Sequence, residues 1–394
     1  MIVEENGKAV KAFIWELGGK LARNGVAFLI TLVLARYISP SEFGLMAIIS
    51  VLTSFSNVFS DMGLTGAIIQ RSRVLPIHLH SVFYFNLFIA LILSFIVFFC
   101  SEEIAVFYSE PKLSLLCKVI SITFILNALS TVQNSLLKKE LNFKYIAKFR
   151  LVSSVISGVV GVILAILNFE IWALVFQMLI QMGIYNVLIW RNSSYFPKFK
   201  FSIKALKVLW GFGFRIFLTK ILNSVYEKLD VLIVSKSLSF FTLGFYQRGK
   251  SLNNLINTYS SESLMNIMFP LLSEIHNAKE IFIKKIHEIF GVILFFCFLL
   301  SGLMYLLAVD MIVLLLTETW KPTIIYFKIM VIGGSILPIN GFFMTVISSR
   351  GNSKMVLKLE FIKKVVLLIP LLMLFYYKNL ESFLYFNLFL GYFT

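Results

Sequence analysis

Lys20 and Arg23 stand inside an apolar stretch over residues 12–35, and Arg215 and Lys220 inside another over residues 206–234. A cation in hydrocarbon costs roughly 2.5–3.5 kcal/mol on insertion scales, so a chain keeps one there chiefly for a polar cavity or a ligand. Lysine and arginine are also the side chains that take phosphate, arginine through a bidentate fork and lysine as a point charge. Basic residues outnumber carboxylates in these stretches, so the chemistry they suggest is capture of an anion. Glu16, Lys20 and Arg23 share one helix face at i, i+4 and i+7, which lets Glu16 partly neutralise Lys20. Arg215 and Lys220 project about 140° apart on theirs, so both reach one cavity if it is wide or if one of them snorkels. Arg248 and Lys250 follow in the next stretch, Arg248 near its outer end, where a cavity position and an interfacial snorkel are both open to it.

Polar residues recur on the same stretches at helical spacing. Ser50, Thr53, Ser54, Asn57 and Asp61 form one stripe, and Lys250, Asn253, Asn254, Asn257 and Ser261 form its counterpart. Long or charged groups in such a stripe need water or a partner, so Asn57, Asp61, Asn254 and Asn257 are expected to line a water-accessible cavity. The small hydroxyls serve equally well as hydrogen bonds between helices. Asp61 and Glu262 are the carboxylates placed to carry a proton or bind sodium, although neither has a diagnostic ligand cluster.

Other chemistry finds little support. Cys100, Cys117 and Cys297 lack CxxC spacing and read as packing residues. His78 and His80 follow Pro76 without carboxylate or thiolate company and read as a solvated basic loop rather than a metal site. Gly351-Asn352-Ser353-Lys354 lacks the preceding glycine-rich run and strand of a phosphate-binding loop. No catalytic residue, metal or cofactor is expected.

The elements that must hold these residues are membrane helices. The chain is 59% hydrophobic and 14% charged, with a mean hydropathy of +0.88, against about 25% charged in a soluble domain. Apolar runs recur at residues 12–35, 44–69, 79–100, 113–133, 151–168 and 171–190, then at 206–234, 243–272, 289–309, 323–348, 355–377 and 380–394. They are too long and too evenly apolar for barrel strands, so the expected fold is all-α, with about twelve membrane helices. The segment before Lys11 does not resemble a cleaved leader.

Basic residues gather in alternate loops: Arg71 and Arg73; Lys138 to Arg150; Arg191 to Lys207; Lys279 to Lys285; and Arg350 to Lys358. The intervening loops carry Glu42, Glu102, Glu103, Glu110, Glu170, Asp310 and Glu318. The positive side is cytoplasmic, which puts both termini there. The same alternation accounts for much of the formal charge of +16, so a nucleic-acid partner is not needed.

The chain also repeats itself. At a shift of 200 residues Lys20, Arg36, Ser39, Gly44, Asn57 and Ser60 meet Lys220, Lys236, Ser239, Gly244, Asn257 and Ser260; at 210, Lys118, Asn142, Lys144 and Lys148 meet Lys328, Asn352, Lys354 and Lys358. Two six-helix lobes are expected, over residues 1–200 and 201–394, around a central cavity with the anion site between them.

Two runs carry a family resemblance: Ala35-Arg36-Tyr37-Ile38-Ser39-Pro40-Ser41-Glu42-Phe43-Gly44, then Asp61-Met62-Gly63-Leu64 with Ala67-Ile68-Ile69-Gln70. They resemble the opening of Wzx-type polysaccharide flippases of the multidrug/oligosaccharidyl-lipid/polysaccharide exporter superfamily. Leu229-Asp230, Leu243-Gly244-Phe245-Tyr246 and Thr319-Trp320-Lys321-Pro322 are similar to that family's second-half landmarks. The resemblance implies a monomeric flippase of the bacterial inner membrane that moves an undecaprenyl-pyrophosphate-linked oligosaccharide for surface polysaccharide such as lipopolysaccharide or exopolysaccharide. It implies membrane lipid, a polysaccharide polymerase and export proteins as partners, and Lys20, Arg23, Arg215 and Lys220 as holders of the pyrophosphate. Many relatives carry fourteen helices, and the run over residues 380–394 is short of a full span, so a truncated last helix is expected. A cation-coupled drug exporter using Asp61, and a membrane polymerase or ligase of lipid-linked sugars, are the alternatives. The second suffers from outer loops too short to assemble catalytic groups.

Overall fold

The computed structural model describes residues 2–257, 268, 272–273 and 278–393, and the regular elements among them are all helical. The chain divides into two compact units, Met1–Lys228 and Leu229–Thr394. The first holds α1 (Ile2–Tyr37), α2 (Pro40–Asp61), α3 (Leu64–Gln70), α4 (Pro76–Phe99), α5 (Ser101–Tyr108), α6 (Lys112–Ile120), α7 (Ile122–Lys139), α8 (Phe143–Ile166) and α9 (Ile171–Arg191), with most of α10 (Ile203–Ser237). The second holds the end of α10, α11 (Phe240–Asn257), α12 (Lys279–Leu306), α13 (Ala308–Leu316), a 3-10 turn at Glu318–Trp320, α14 (Thr323–Gly334), α15 (Ile336–Ser349), α16 (Ser353–Val366), α17 (Leu368–Tyr377) and α18 (Leu380–Phe393).

Local chemistry explains the boundaries, and it recurs in both units. Ser39 caps α2 in a reciprocal capping box: Glu42 N–H donates to Ser39 Oγ at 3.4 Å, Ser39 N–H donates to Glu42 Oε2 at 3.3 Å, and Pro40 supplies the preset first turn. Ser239 caps α11 from one side, with Thr242 N–H donating to its Oγ at 3.1 Å. Asn142 stands at the N-cap of α8 and Asn352 at that of α16, where Met355 N–H donates to Asn352 Oδ1 at 3.2 Å. Ser121 and Ser335 mark matching breaks between α6 and α7 and between α14 and α15. Of the residues that align in sequence, Ser39 with Ser239 and Asn142 with Asn352 therefore stand at helix starts.

In the first unit α7 is the hub, packed against α2, α3, α4 and α9, while α1 lies along α8 and α8 along α9. Small residues let these backbones approach: a Cβ on Gly158 would stand 2.0 Å from Ile30 Cδ1. A polar seam binds the hub. Asn127 donates to Ser56 Oγ at 2.9 Å, Ser60 to Phe124 O at 3.1 Å, Ser135 to Thr65 Oγ1 at 3.0 Å, and Asn186 to Leu126 O at 3.0 Å. Its apolar core gathers Leu64, Ile68, Val82, Phe83, Val132, Leu209 and Phe217. The second unit has its own core around Leu272, Phe282, Ile293 and Phe342.

The outward faces are apolar, as Phe88, Phe95, Phe99, Phe295 and Phe298 illustrate, the inverse of a soluble surface. Among the described residues eight helices are long and apolar enough to cross a membrane. The protein is a multi-pass, all-α membrane protein.

One expectation fails. His78 and His80 are buried, at 6% and 5% exposure, because Pro76 starts a helix rather than a loop. Leu75 N–H donates to His78 Nδ1 at 3.0 Å, and His80 Nδ1 receives Lys198 N–H at 3.3 Å with the Tyr195 hydroxyl 2.9 Å away. Burial pushes the Tyr195 phenol up. The cysteines also divide: Cys117 and Cys297 are buried, whereas Cys100 is exposed at the end of α4.

Candidate anion-binding site

The site is built where α2 ends. Met62 and Gly63 take left-handed backbone, with φ of 43° and 69°, and turn the chain sharply into α3. The Gly63 position is pressed against α10: a Cβ there would stand 2.0 Å from Gly213 O. This close crossing sets the first part of α10 beside the C-terminal end of α2. Two turns further along α10, Lys220 forms an ion pair with Asp61 through Oδ2. Asp61 Oδ1 accepts the Thr65 N–H at 3.0 Å, so both carboxylate oxygens are engaged and the acid is only 14% exposed, against 46% for Lys220.

Further cations surround this pair. Lys138, at the end of α7, is half-buried; Arg150, Asp61, Lys220 and Glu16 all lie close enough to act on its ammonium. The Arg150 guanidinium lies 5.9 Å from the Tyr185 ring centre, and the Tyr185 hydroxyl donates to Asn134 Oδ1. Arg23 acts on the same tyrosine across space. With Glu16 and Arg23 both turned toward the cluster, helical spacing puts half-buried Lys20 on that face between them. The group thus gathers Arg23, Lys138, Arg150 and Lys220 against Glu16 and Asp61, with Lys20 on the α1 face that carries Glu16 and Arg23. That leaves an excess of positive charge among helices of a membrane protein.

Arg215 and Lys220 border one hollow of about 480 Å³ with Phe212, Ile216 and Thr219. Their divergence on the helix does not separate them, because both side chains are long and the hollow is wide. Arg215 also bonds back to Gly211 O at 3.0 Å. Of the polar stripe on α2, Asn57 is exposed, whereas Ser50, Thr53 and Ser54 bond to carbonyls of their own helix. On α11, Asn254 is exposed; the side chain of Asn257 and all of Glu262 lie outside the described residues. Lys138 and Arg150 escaped the sequence reading because their positions beside Lys139 and Lys148 made them look like loop charges.

A family model described as "Polysaccharide biosynthesis protein" matches residues 33–325. The chain belongs to this polysaccharide biosynthesis protein family. It is 27% identical over 276 residues to the succinoglycan biosynthesis transport protein ExoT of Rhizobium meliloti (strain 1021), covering 70% of this chain and 56% of that protein. It is 22% identical over 336 residues to the lipopolysaccharide biosynthesis protein WzxC of Escherichia coli (strain K12), covering 83% and 67%. The chain thus spans little more than half the length of ExoT. In fold it is similar to the lipid II flippase MurJ in an inward closed conformation, with a TM-score of 0.75 at 16% identity over 96% of this chain and 85% of that one. The resemblance to Wzx-type proteins holds.

The stretches that carried that resemblance have structural reasons in this family member. Ser39-Pro40-Ser41-Glu42 is the capping box of α2, and Asp61-Met62-Gly63-Leu64 is the tight turn bearing the ion-paired acid. In the second unit Asp230 Oδ2 accepts from both Tyr246 and Lys250, while Oδ1 faces the Val231 N–H at 2.8 Å. Asp230 therefore pairs across to α11. Trp320 is fully buried; Phe245 meets it edge-on at 6.0 Å and the Arg248 guanidinium covers it at 5.3 Å. Arg248, at 7% exposure, is a buried stacking residue, so it does not snorkel, and Lys250 is committed to Asp230.

Proposed function

We propose that the protein moves a polyprenyl-pyrophosphate-linked oligosaccharide across the bacterial inner membrane by alternating access, for surface polysaccharide synthesis. The observation that carries this reading is the cation-rich cluster around the Asp61–Lys220 pair. A pyrophosphate brings the negative charge that Lys20, Arg23, Lys138, Arg150 and Lys220 outnumber Glu16 and Asp61 to receive. The lipid tail stays in the bilayer while the sugar occupies the polar space. Arg215, on the same hollow as Lys220, is the next contact. The names of ExoT and WzxC support the pathway, and the fold of MurJ supports a transport role over a catalytic one.

Asp61 argues against the drug-exporter alternative. A cationic drug approaching Asp61 would meet the Lys220 ammonium paired with it, which repels a cation and attracts an anion. Arg248 and Lys250 play the smaller part in this reading, since each has its own partner in the second unit. The test is alanine replacement of Lys20, Arg23, Lys138, Arg150 and Lys220, singly, in a strain whose surface polysaccharide depends on this protein. Export should fall by at least about tenfold while membrane levels hold, as loss of a desolvated charge contact implies. Normal export in all five variants sinks the proposal.

A further inference from the structure

The stretch between α9 and α10 alternates aromatic and basic residues: Phe196-Pro197-Lys198-Phe199-Lys200-Phe201-Ser202-Ile203-Lys204, with Lys207 one turn on. Residues 171–226 contain no carboxylate, so nothing within the sequence neighbourhood neutralises these lysines. The backbone of this stretch is pinned. Lys198 N–H donates to His80 at 3.3 Å, Ser202 N–H donates to Ser81 Oγ at 2.9 Å, and the buried Tyr195 ring stacks on His80 at 5.4 Å. Ser202 in turn caps α10, with Ala205 N–H donating to its Oγ at 3.3 Å.

Pinned from below, the stretch turns its side chains outward. Phe199 is 97% exposed, and Phe196, Phe201 and Ile203 are each more than half exposed. Lys198, Lys200, Lys204 and Lys207 are exposed beside them. Four large apolar side chains held in the open on a fixed backbone are costly in water. Interleaved with lysines at the end of a membrane bundle, they match one surface: apolar rings at the depth of the acyl chains, ammonium groups at the level of the phosphates.

We infer that this stretch is an interfacial anchor that binds anionic phospholipid headgroups, its phenylalanines entering the acyl boundary and its four lysines pairing with lipid phosphates. The partner is the lipid surface and not the transported molecule, so the anchor is separate from the cluster around Asp61. Because Ser202 caps α10, the anchor fixes the height at which the helix bearing Arg215 and Lys220 enters the membrane.

The test uses the full-length protein in bilayers that mix spin-labelled phosphatidylglycerol or phosphatidylcholine, and reads the fraction of each lipid immobilised on the protein. The wild type should retain phosphatidylglycerol about fivefold over phosphatidylcholine at low salt, and the preference should shrink as salt screens it. Changing Lys198, Lys200, Lys204 and Lys207 together to Gln should abolish the preference with the helical melting curve unchanged. A second measurement places a spin label at Phe199→Cys, which should be more accessible to oxygen than to an aqueous nickel chelate. No lipid preference in the wild type, a preference that survives the four-lysine change, or a water-exposed label at position 199 would each overturn the inference.

Discussion

On the proposed reading, the Asp61–Lys220 pair is both a structural contact and a gate to the ligand. A half-exposed ion pair is worth on the order of 1 kcal/mol at most, so an arriving pyrophosphate can displace the carboxylate and take Lys220 for itself. Asp61→Asn should therefore tighten binding of an undecaprenyl-pyrophosphate analogue by about fivefold, which is the equivalent of that energy. Turnover should slow, because release would no longer be assisted by the returning acid. Isothermal titration in detergent checks the first, and an unchanged or weakened affinity would remove Asp61 from the binding equilibrium. Lys20 and Lys220 were legible in the sequence because a cation inside an apolar run is costly. Lys138 and Arg150 were not, because charges at helix ends look alike whether they face water or a cluster.

At the scale of elements, the turn from α2 to α3 decides where the ion pair forms. Gly63 combines positive φ with contact against the Gly213 carbonyl, so a side chain meets both a conformational cost and a clash. Gly63→Ala should lose about 1–3 kcal/mol from the backbone alone, with the steric term added, and should lower the melting temperature in detergent and export together. Gly25→Ala, on α1 with open space around it, should leave stability unchanged or raise it slightly. Equal melting temperatures for the two variants would refute the packing argument. The expected runs begin at residues 44, 79 and 243, three or four residues inside α2, α4 and α11, because hydropathy does not register the Ser39, Pro40, Pro76 and Ser239 that start these helices. The polar seam of Ser56, Ser60, Asn127 and Ser135 could not be foreseen, since small hydroxyls carry no signal of which neighbour they will meet.

For the whole molecule, the described contacts of the first unit give its two ends different chemistry. Lys139 donates to Ile68 O at 3.0 Å, and Lys198 reaches His80, which joins the basic residues of three separate loops at one end. Lys112 meets Glu170 at 3.1 Å and Lys118 meets Glu102 at 3.0 Å at the other, where the neighbouring Lys112 holds the Glu170 carboxyl below the usual range. If the positive end is cytoplasmic, a cysteine placed at Lys200 in a cysteine-free background should react with an impermeant maleimide only in opened cells. One placed at Glu110 should react in intact spheroplasts. The reverse pattern would invert the orientation.

Hydropathy was enough to determine an all-α membrane protein, because solvent and helix periodicity act on each segment alone. The tertiary structure decided which charges share a site. It brought Asp61 to Lys220 across 159 positions of sequence, drew Lys138 and Arg150 in from apparent loops, and gave Arg248 and Lys250 to Trp320 and Asp230. Pairing depends on which helices cross and at what depth. That is set by close contacts such as Gly63 on Gly213, and no single segment encodes it.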